Sequence, residues 1–231
     1  MVRIGSIAAL VAIFALILAQ SSFATPIYDN GGPNGVNGNE VTAWLQAEEF
    51  SVAAGGIATG AGVYIAGFGG IGAFEGTMDY FLFADGAGSP GAELATGAVQ
   101  DLTVTDTGMP WSAGGDSYLF DFDFGAPFTL AAGTPYWLGI HLNGDYATRD
   151  QLYWVTTDPT TGDGTYELAG GTDASWFDNG QEHAFYIKGG AAAAVAPVPE
   201  PLSLVLLGTG LVGVARVRRQ RSKSKNALPS A

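Results

Sequence analysis

Two acidic pairs in this 231-residue chain, Glu48/Glu49 and Asp121/Asp123, have a type and spacing suited to chemistry. A glycosidase needs two carboxyl groups about 5–10 Å apart across a cleft, one to give a proton and one to act as base or nucleophile. Asp121 and Asp123 share one face of a strand at a suitable separation. With 21 acids between residues 25 and 198, however, such pairs also arise by chance on a solvated surface, so an enzyme is not expected. The histidines, His141 and His183, lie in no His-Glu-x-x-His metal pattern. There is no cysteine nucleophile and no Gly-x-Ser-x-Gly elbow. Gly67-Phe-Gly-Gly-Ile-Gly72 lacks the Lys-Ser/Thr of a phosphate loop and reads as a turn or β-edge.

The same acidity suits cation binding, and Ca²⁺ is the one candidate cofactor. Ca²⁺ takes six to eight oxygen ligands from carboxylates and carbonyls, which Asp-Gly-rich loops supply. Asp85-Gly-Ala-Gly-Ser-Pro-Gly91 and Asn143-Gly-Asp145 are candidate loops, making Asp85, Asp121, Asp123 and Asp145 the candidate ligands. None has EF-hand spacing, and acidic turns also serve solubility and local backbone amides. Trp111 and Trp176 sit in polar, loop-like contexts where exposed rings would stack on sugar faces. For either one, a side chain capping an end of the fold is expected ahead of a sugar contact. Trp44, Trp137 and Trp154 lie in strand-like runs and are expected in the core.

These groups must be positioned by strands. Ser117–Phe124 puts Tyr118, Phe120, Phe122 and Phe124 on one face and Asp121 and Asp123 on the other. Met78–Ala84, Leu102–Thr105, Pro135–Leu142, Leu152–Thr157 and His183–Lys188 are further candidates, with Val41–Phe50 and Gly62–Phe68 weaker ones. Asp85-Gly86, Thr107-Gly108, Asn143-Gly144 and Asp163-Gly164 mark turns. No sustained helical period occurs outside the two terminal segments. The spacing predicts an all-β domain over residues 25–190, an antiparallel two-sheet β-sandwich, jelly-roll-like, in preference to a barrel. With no cysteine, it must be held by packing, hydrogen bonds or metal ions.

Three segments of this domain, Trp44–Phe50, Tyr80–Leu94 and Thr134–Ile140, resemble a β-sandwich domain that recurs in bacterial exported and surface proteins. In that group the first motif more often reads Ala-Asp-Asp-Phe, so Glu48 and Glu49 are a longer variant. The resemblance implies a fold and carries no assigned chemistry.

The termini supply an address. Arg3 precedes the apolar stretch Ile7–Ala19, and Ser22-Phe23-Ala24 ends it with small residues, the pattern of a signal peptide over residues 1–24 cut after Ala24. A buried core helix would need a polar face or a partner segment that this stretch lacks. Sec translocon and signal peptidase are the implied partners. Gly189-Gly190 and the small-residue run 191–198 read as a linker. Beyond it, Pro199-Glu200-Pro201 leads into the apolar run Leu202–Ala215 and a basic tail with Arg216, Arg218, Arg219 and Arg221. Residues 1–24 carry a net charge of +1, residues 25–198 carry −19 and residues 199–231 carry +5. Under the positive-inside bias both basic ends stay in the cytoplasm and the acidic middle is exported. The 14-residue run covers about 21 Å as a transmembrane helix, short of the roughly 30 Å hydrocarbon core, which suits a temporary anchor.

Residues 198–221 are similar to the PEP-CTERM sorting signal of bacterial exported proteins, with its three parts in order; residues 199–225 form the whole signal and 226–231 the end of the chain. The resemblance implies recognition by an exosortase, removal of the tail, and passage from an inner-membrane-anchored precursor to the cell surface or extracellular matrix, among bacteria that make exopolysaccharide. An ordinary C-terminal membrane anchor is the alternative. The resulting expectation is a non-enzymatic envelope or matrix protein with a structural or adhesive role, ahead of a lectin-like carbohydrate-binding module. Nucleic acid is excluded as a partner, because a domain of net charge −19 repels phosphate.

Overall fold

The computed structural model describes residues 26–158, 165–169 and 176–191. The signal segment, residues 192–198 of the linker, the sorting signal with its apolar run 202–215, and the Asp163-Gly164 turn lie outside the described residues.

Short apolar runs cut by turn residues can bury their side chains only by pairing as strands and stacking face to face. In chain order the strands are β1 (Pro26–Asp29), β2 (Gly38–Glu40), β3 (Trp44–Ser51), β4 (Gly56–Gly67), β5 (Met78–Asp85), β6 (Pro90–Ala98), β7 (Gln100–Pro110), β8 (Asp116–Leu130), β9 (Pro135–Leu142), β10 (Leu152–Val155), β11 (Thr165–Ala169), β12 (Phe177–Asp178) and β13 (Phe185–Ala191). They form two sheets, and every strand pair is antiparallel.

The first sheet is organised on β4. One edge of β4 pairs with β8, which pairs with β7. Its other edge is shared, by β13 over Gly56–Val63 and by β10 over Ile65–Gly67. β1 flanks β13 and β2 flanks β10. The second sheet runs β12-β11-β3-β9-β5-β6. Apart from the β5–β6, β7–β8 and β11–β12 neighbours and the start at β1–β2, the chain changes sheet at each successive strand.

The main core lies between the sheets. Val63, Ile65, Phe120, Phe122, Trp154 and Phe185 from the first sheet meet Phe50, Leu82, Leu138 and Ile140 from the second. A smaller cluster of Leu45, Ala47, Phe83, Trp137 and Leu168 covers the outer face of the second sheet. The odd and even residues of β9 are therefore both buried, which accounts for its nearly unbroken apolar run.

Several boundaries differ from expectation. β8 continues past Phe124 to Leu130, carried by pairing of Thr129 and Leu130 with the start of β4. Thr107-Gly108 is not a strand end but a bulge inside β7, after which pairing resumes at Met109. No strand is expected between Ala84 and Leu102, yet Pro90–Ala98 forms β6 against β5. Gly189-Gly190 belongs to β13 and not to a linker; a Cβ on Gly189 would fall 2.2 Å from the Ile57 carbonyl oxygen, so close approach to β4 requires glycine there.

Candidate functional site

Asp121 and Asp123 project from β8 on the face opposite buried Phe120 and Phe122. Directly across β4, Tyr186 and Lys188 project from β13, because Gly62 pairs with both Asp121 and Tyr186, and Gly60 with both Asp123 and Lys188. The missing side chains of these glycines let the two sets meet: a Cβ on Gly62 would lie 2.2 Å from the Tyr186 ring, and one on Gly60 2.6 Å from Lys188 Cε. Lys188 Nζ is 2.7 Å from Asp121 Oδ1 and 2.6 Å from Asp123 Oδ1, and the Tyr186 hydroxyl donates to Asp121 Oδ2. Burial pulls the Lys188 ammonium down, but the hydrogen bonds and charges of the two aspartates outweigh it and leave it above its ordinary value. Partial burial and the Asp121 hydrogen bond push the Tyr186 phenol up. One internal lysine thus bridges the acidic pair, offsetting one of its two charges from the position a cation would take.

The other candidate calcium ligands serve turns. Asp85 accepts the N–H groups of Ala87 and Gly88 at 3.2 and 2.9 Å and the Trp137 indole N–H at 3.2 Å. The Gly88 contact leads in holding its carboxyl below the usual range. Asp145 accepts the Ala147 N–H at 2.8 Å. Asp85 and Asp145 follow opposite ends of the β5–β9 ladder, while Asp121 and Asp123 lie on the other sheet. The four candidate ligands therefore lie at three separate places, so neither candidate loop is joined by Asp121 and Asp123, as ligands at 2.3–2.6 Å from one ion would have to be. Among the described residues no three His, Asp or Glu side chains form a metal-holding group.

Neither loop tryptophan offers an open ring for a sugar, and both cap the fold instead. Trp111 is 6% exposed and packs against Phe68 and Tyr153 at 5.5 and 5.1 Å between ring centroids. Trp176 is half-buried with its ring packed at 79° and 5.5 Å against Phe83 on the outer face of the second sheet. Both tryptophans finish small apolar clusters at the margins of the sandwich. The exposed ring in this region is Phe68, 54% accessible, which the sequence places inside a glycine turn with no sign of a site. It stands at 86° to Tyr153, beside a cleft of about 290 Å³ lined by the backbone of Gly69, Gly70 and Gly72 and by Arg149, Asp150 and Gln151.

Glu48 and Glu49 do not act as a pair, since consecutive strand residues face opposite ways. Glu48 points between the sheets to His183, whose Nδ1 and backbone N–H lie 3.0 and 2.8 Å from Glu48 Oε2. The His183 ring stacks on Trp154 at 4.5 Å, and its Nε2 is 2.9 Å from Asn39 Oδ1. Complete burial outweighs the adjacent carboxylate and pushes the imidazole down to about 3. A neutral ring with its proton on Nδ1 donates to Glu48, and it accepts at Nε2 once the Asn39 amide presents its nitrogen, a half-turn of that group. His141 is a second buried, neutral imidazole: Nε2 donates to the Thr42 carbonyl at 2.6 Å, the ring stacks on Tyr146 at 3.6 Å, and burial lowers its pKa. Tyr146 is pushed up to about 12, first by burial and then by Asp79.

Next to His183 the chain builds a second cleft, of about 240 Å³, between the Asn34–Asn37 segment, Thr156-Thr157 and Gly180–Glu182. Asn34 Oδ1 accepts the Val36 N–H and the Thr156 hydroxyl, each at 2.9 Å. The Thr157 N–H donates to the Glu182 carbonyl at 2.9 Å, tying the two walls together. Glu182 Oε2 accepts the Asn30 amide at 3.2 Å. Glu182 Oε1 and Gln181 Oε1 are buried and have no hydrogen-bond partner among the described residues. Sequence reasoning misses this cleft because it comes from three segments, the outermost about 150 positions apart, none of which carries a motif.

No protein-family model matches the chain, and no curated protein matches it significantly.

Proposed function

We propose that this chain is an exported, non-enzymatic protein of the bacterial cell envelope or extracellular matrix, with a structural or adhesive role associated with exopolysaccharide. The observation that carries it is the order of parts: a signal segment, an acidic domain, then Pro199-Glu200-Pro201, an apolar run and an arginine-rich tail. In this reading the Sec translocon and signal peptidase deliver the domain, an exosortase acts at the tripeptide, and the precursor is held in the inner membrane until then. The fold suits that role: a cysteine-free sandwich, jelly-roll-like in its alternation between sheets, whose acidic pair is bridged from within by Lys188. Deleting Pro199–Ala231 and fractionating the cells tests it. The truncated domain should move from the envelope to the medium, and an unchanged envelope fraction would sink the sorting role.

A second reading, a lectin-like module, is favoured by the Phe68 cleft. An exposed ring beside Arg149, Asp150 and Gln151 combines a stacking face with donors and acceptors for hydroxyls. Saturable glycan-array binding that disappears in Phe68→Ala supports this reading; no binding leaves the structural role.

A further inference from the structure

We infer that the cleft formed by Asn34, Asn37, Thr156, Thr157, Gln181 and Glu182 is a binding site for one divalent cation of the calcium type, with the Glu182 carboxylate as its charged ligand. Glu182 is 6% exposed, and one of its oxygens has no hydrogen-bond donor among the described residues. A buried carboxylate oxygen without a donor or a counter-charge is costly and calls for a partner. The chain has little to offer from within. Between residues 25 and 198 its basic side chains are Arg149 and Lys188. Lys188 is held by Asp121 and Asp123, and Arg149 Nε lies 4.0 Å from Glu40. A cation for Glu182 therefore has to come from solution, and a domain of net charge −19 concentrates cations around it.

The second independent sign is Gln181. Its side-chain oxygen is also buried and without a donor, and it lines the same cleft. Two acceptor oxygens left without donors in one polar cleft fit an ion better than a ligand that must also accept hydrogen bonds. Ca²⁺ takes neutral amide, hydroxyl and carbonyl oxygens beside carboxylate, in irregular geometry and with waters completing the shell. Mg²⁺ holds to a stricter octahedron and gives up its waters reluctantly. The cleft, at about 240 Å³, leaves room for such waters. The site differs from the acidic loops marked in the sequence because a single buried carboxylate with neutral oxygens has no acidic signature. One carboxylate also sets the strength, near the 10⁻⁴–10⁻³ M of extracellular calcium modules.

The test is a calorimetric titration of the full chain, purified in mild detergent, with CaCl₂ alone and, separately, with MgCl₂. One saturable Ca²⁺ site of about 10⁻⁴–10⁻³ M and weaker Mg²⁺ binding are expected. Glu182→Gln, which keeps the shape and removes the charge, should weaken Ca²⁺ at least tenfold, whereas Asp145→Asn should leave it unchanged. If Glu182→Gln does not fold, Gln181→Ala at the half-buried position decides, with a severalfold weakening expected. No saturable Ca²⁺ binding up to roughly 10 mM, ten times the weakest expected constant, overturns the inference. An affinity unchanged in Glu182→Gln, or in Gln181→Ala where that variant stands in, overturns it as well. The titration reads ion binding alone, so its outcome is separate from that of the sorting experiment.

Discussion

Mild acid should destabilise this domain through His183, before its carboxylates begin to protonate. In the folded state the ring stays neutral down to about 3, against an ordinary value of 6.5 in the unfolded chain. Below 6.5 unfolding therefore binds a proton, so the stability contributed by the neutral ring is complete above 6.5 and is lost as the pH falls towards about 3. Each pH unit in that interval is worth about 1.4 kcal/mol, or about 5 kcal/mol in all. Domains of ordinary stability have about 5–15 kcal/mol to lose. Going from pH 7.5 to 5.0 crosses about 1.5 units of the interval and should remove about 2 kcal/mol. Buried His141 shifts in the same direction and adds to the loss. Urea unfolding of residues 25–190 at several pH values, followed by tryptophan fluorescence, measures it. His183→Gln, which can still donate to Glu48 but does not titrate, should flatten the slope, and the His183 ring resonances should not move between pH 7 and 5. A stability that holds or rises on acidification would refute the reasoning. That result would mean that the Glu48 carboxylate, 3.0 Å away, carries an imidazolium and that its attraction outweighs the cost of burying the charge.

Three other perturbations probe the framework around the sites. Trp154→Ala removes a fully buried ring that stacks on His183 and donates to the Ala184 carbonyl at 2.9 Å; it should cost about 3–5 kcal/mol in denaturant unfolding. Gly60→Ala would place a Cβ 2.2 Å from the Phe122 carbonyl oxygen, and since backbone cannot step aside, the thermal midpoint should drop by several degrees, for about 1–3 kcal/mol of overpacking. Lys188→Met leaves Asp121 and Asp123 side by side on β8 without their shared ammonium, at a half-open surface. The expected loss is about 1 kcal/mol after screening, and roughly 1 M salt should narrow the gap between variant and parent.

The chain's own order of residues determined its all-β character, the core face of Ser117–Phe124 and the limits of Pro135–Leu142, because strand periodicity is local and each turn residue acts on its immediate neighbours. The proposed export reading likewise rests on charges and apolar runs alone, which act without a fold. Which side chains met was decided by tertiary structure. A loop-like context around Trp111 says nothing of Phe68 and Tyr153 closing over it, and Asp121 and Asp123 look solvent-bound until β4 brings β13 and Lys188 alongside. Glu48 and His183 are 135 positions apart, and no spacing rule joins them. The Glu182 cleft follows the same logic: burial and the lack of a donor are properties of packing between distant segments, so the oxygens that most need a partner lie where the sequence carried no motif.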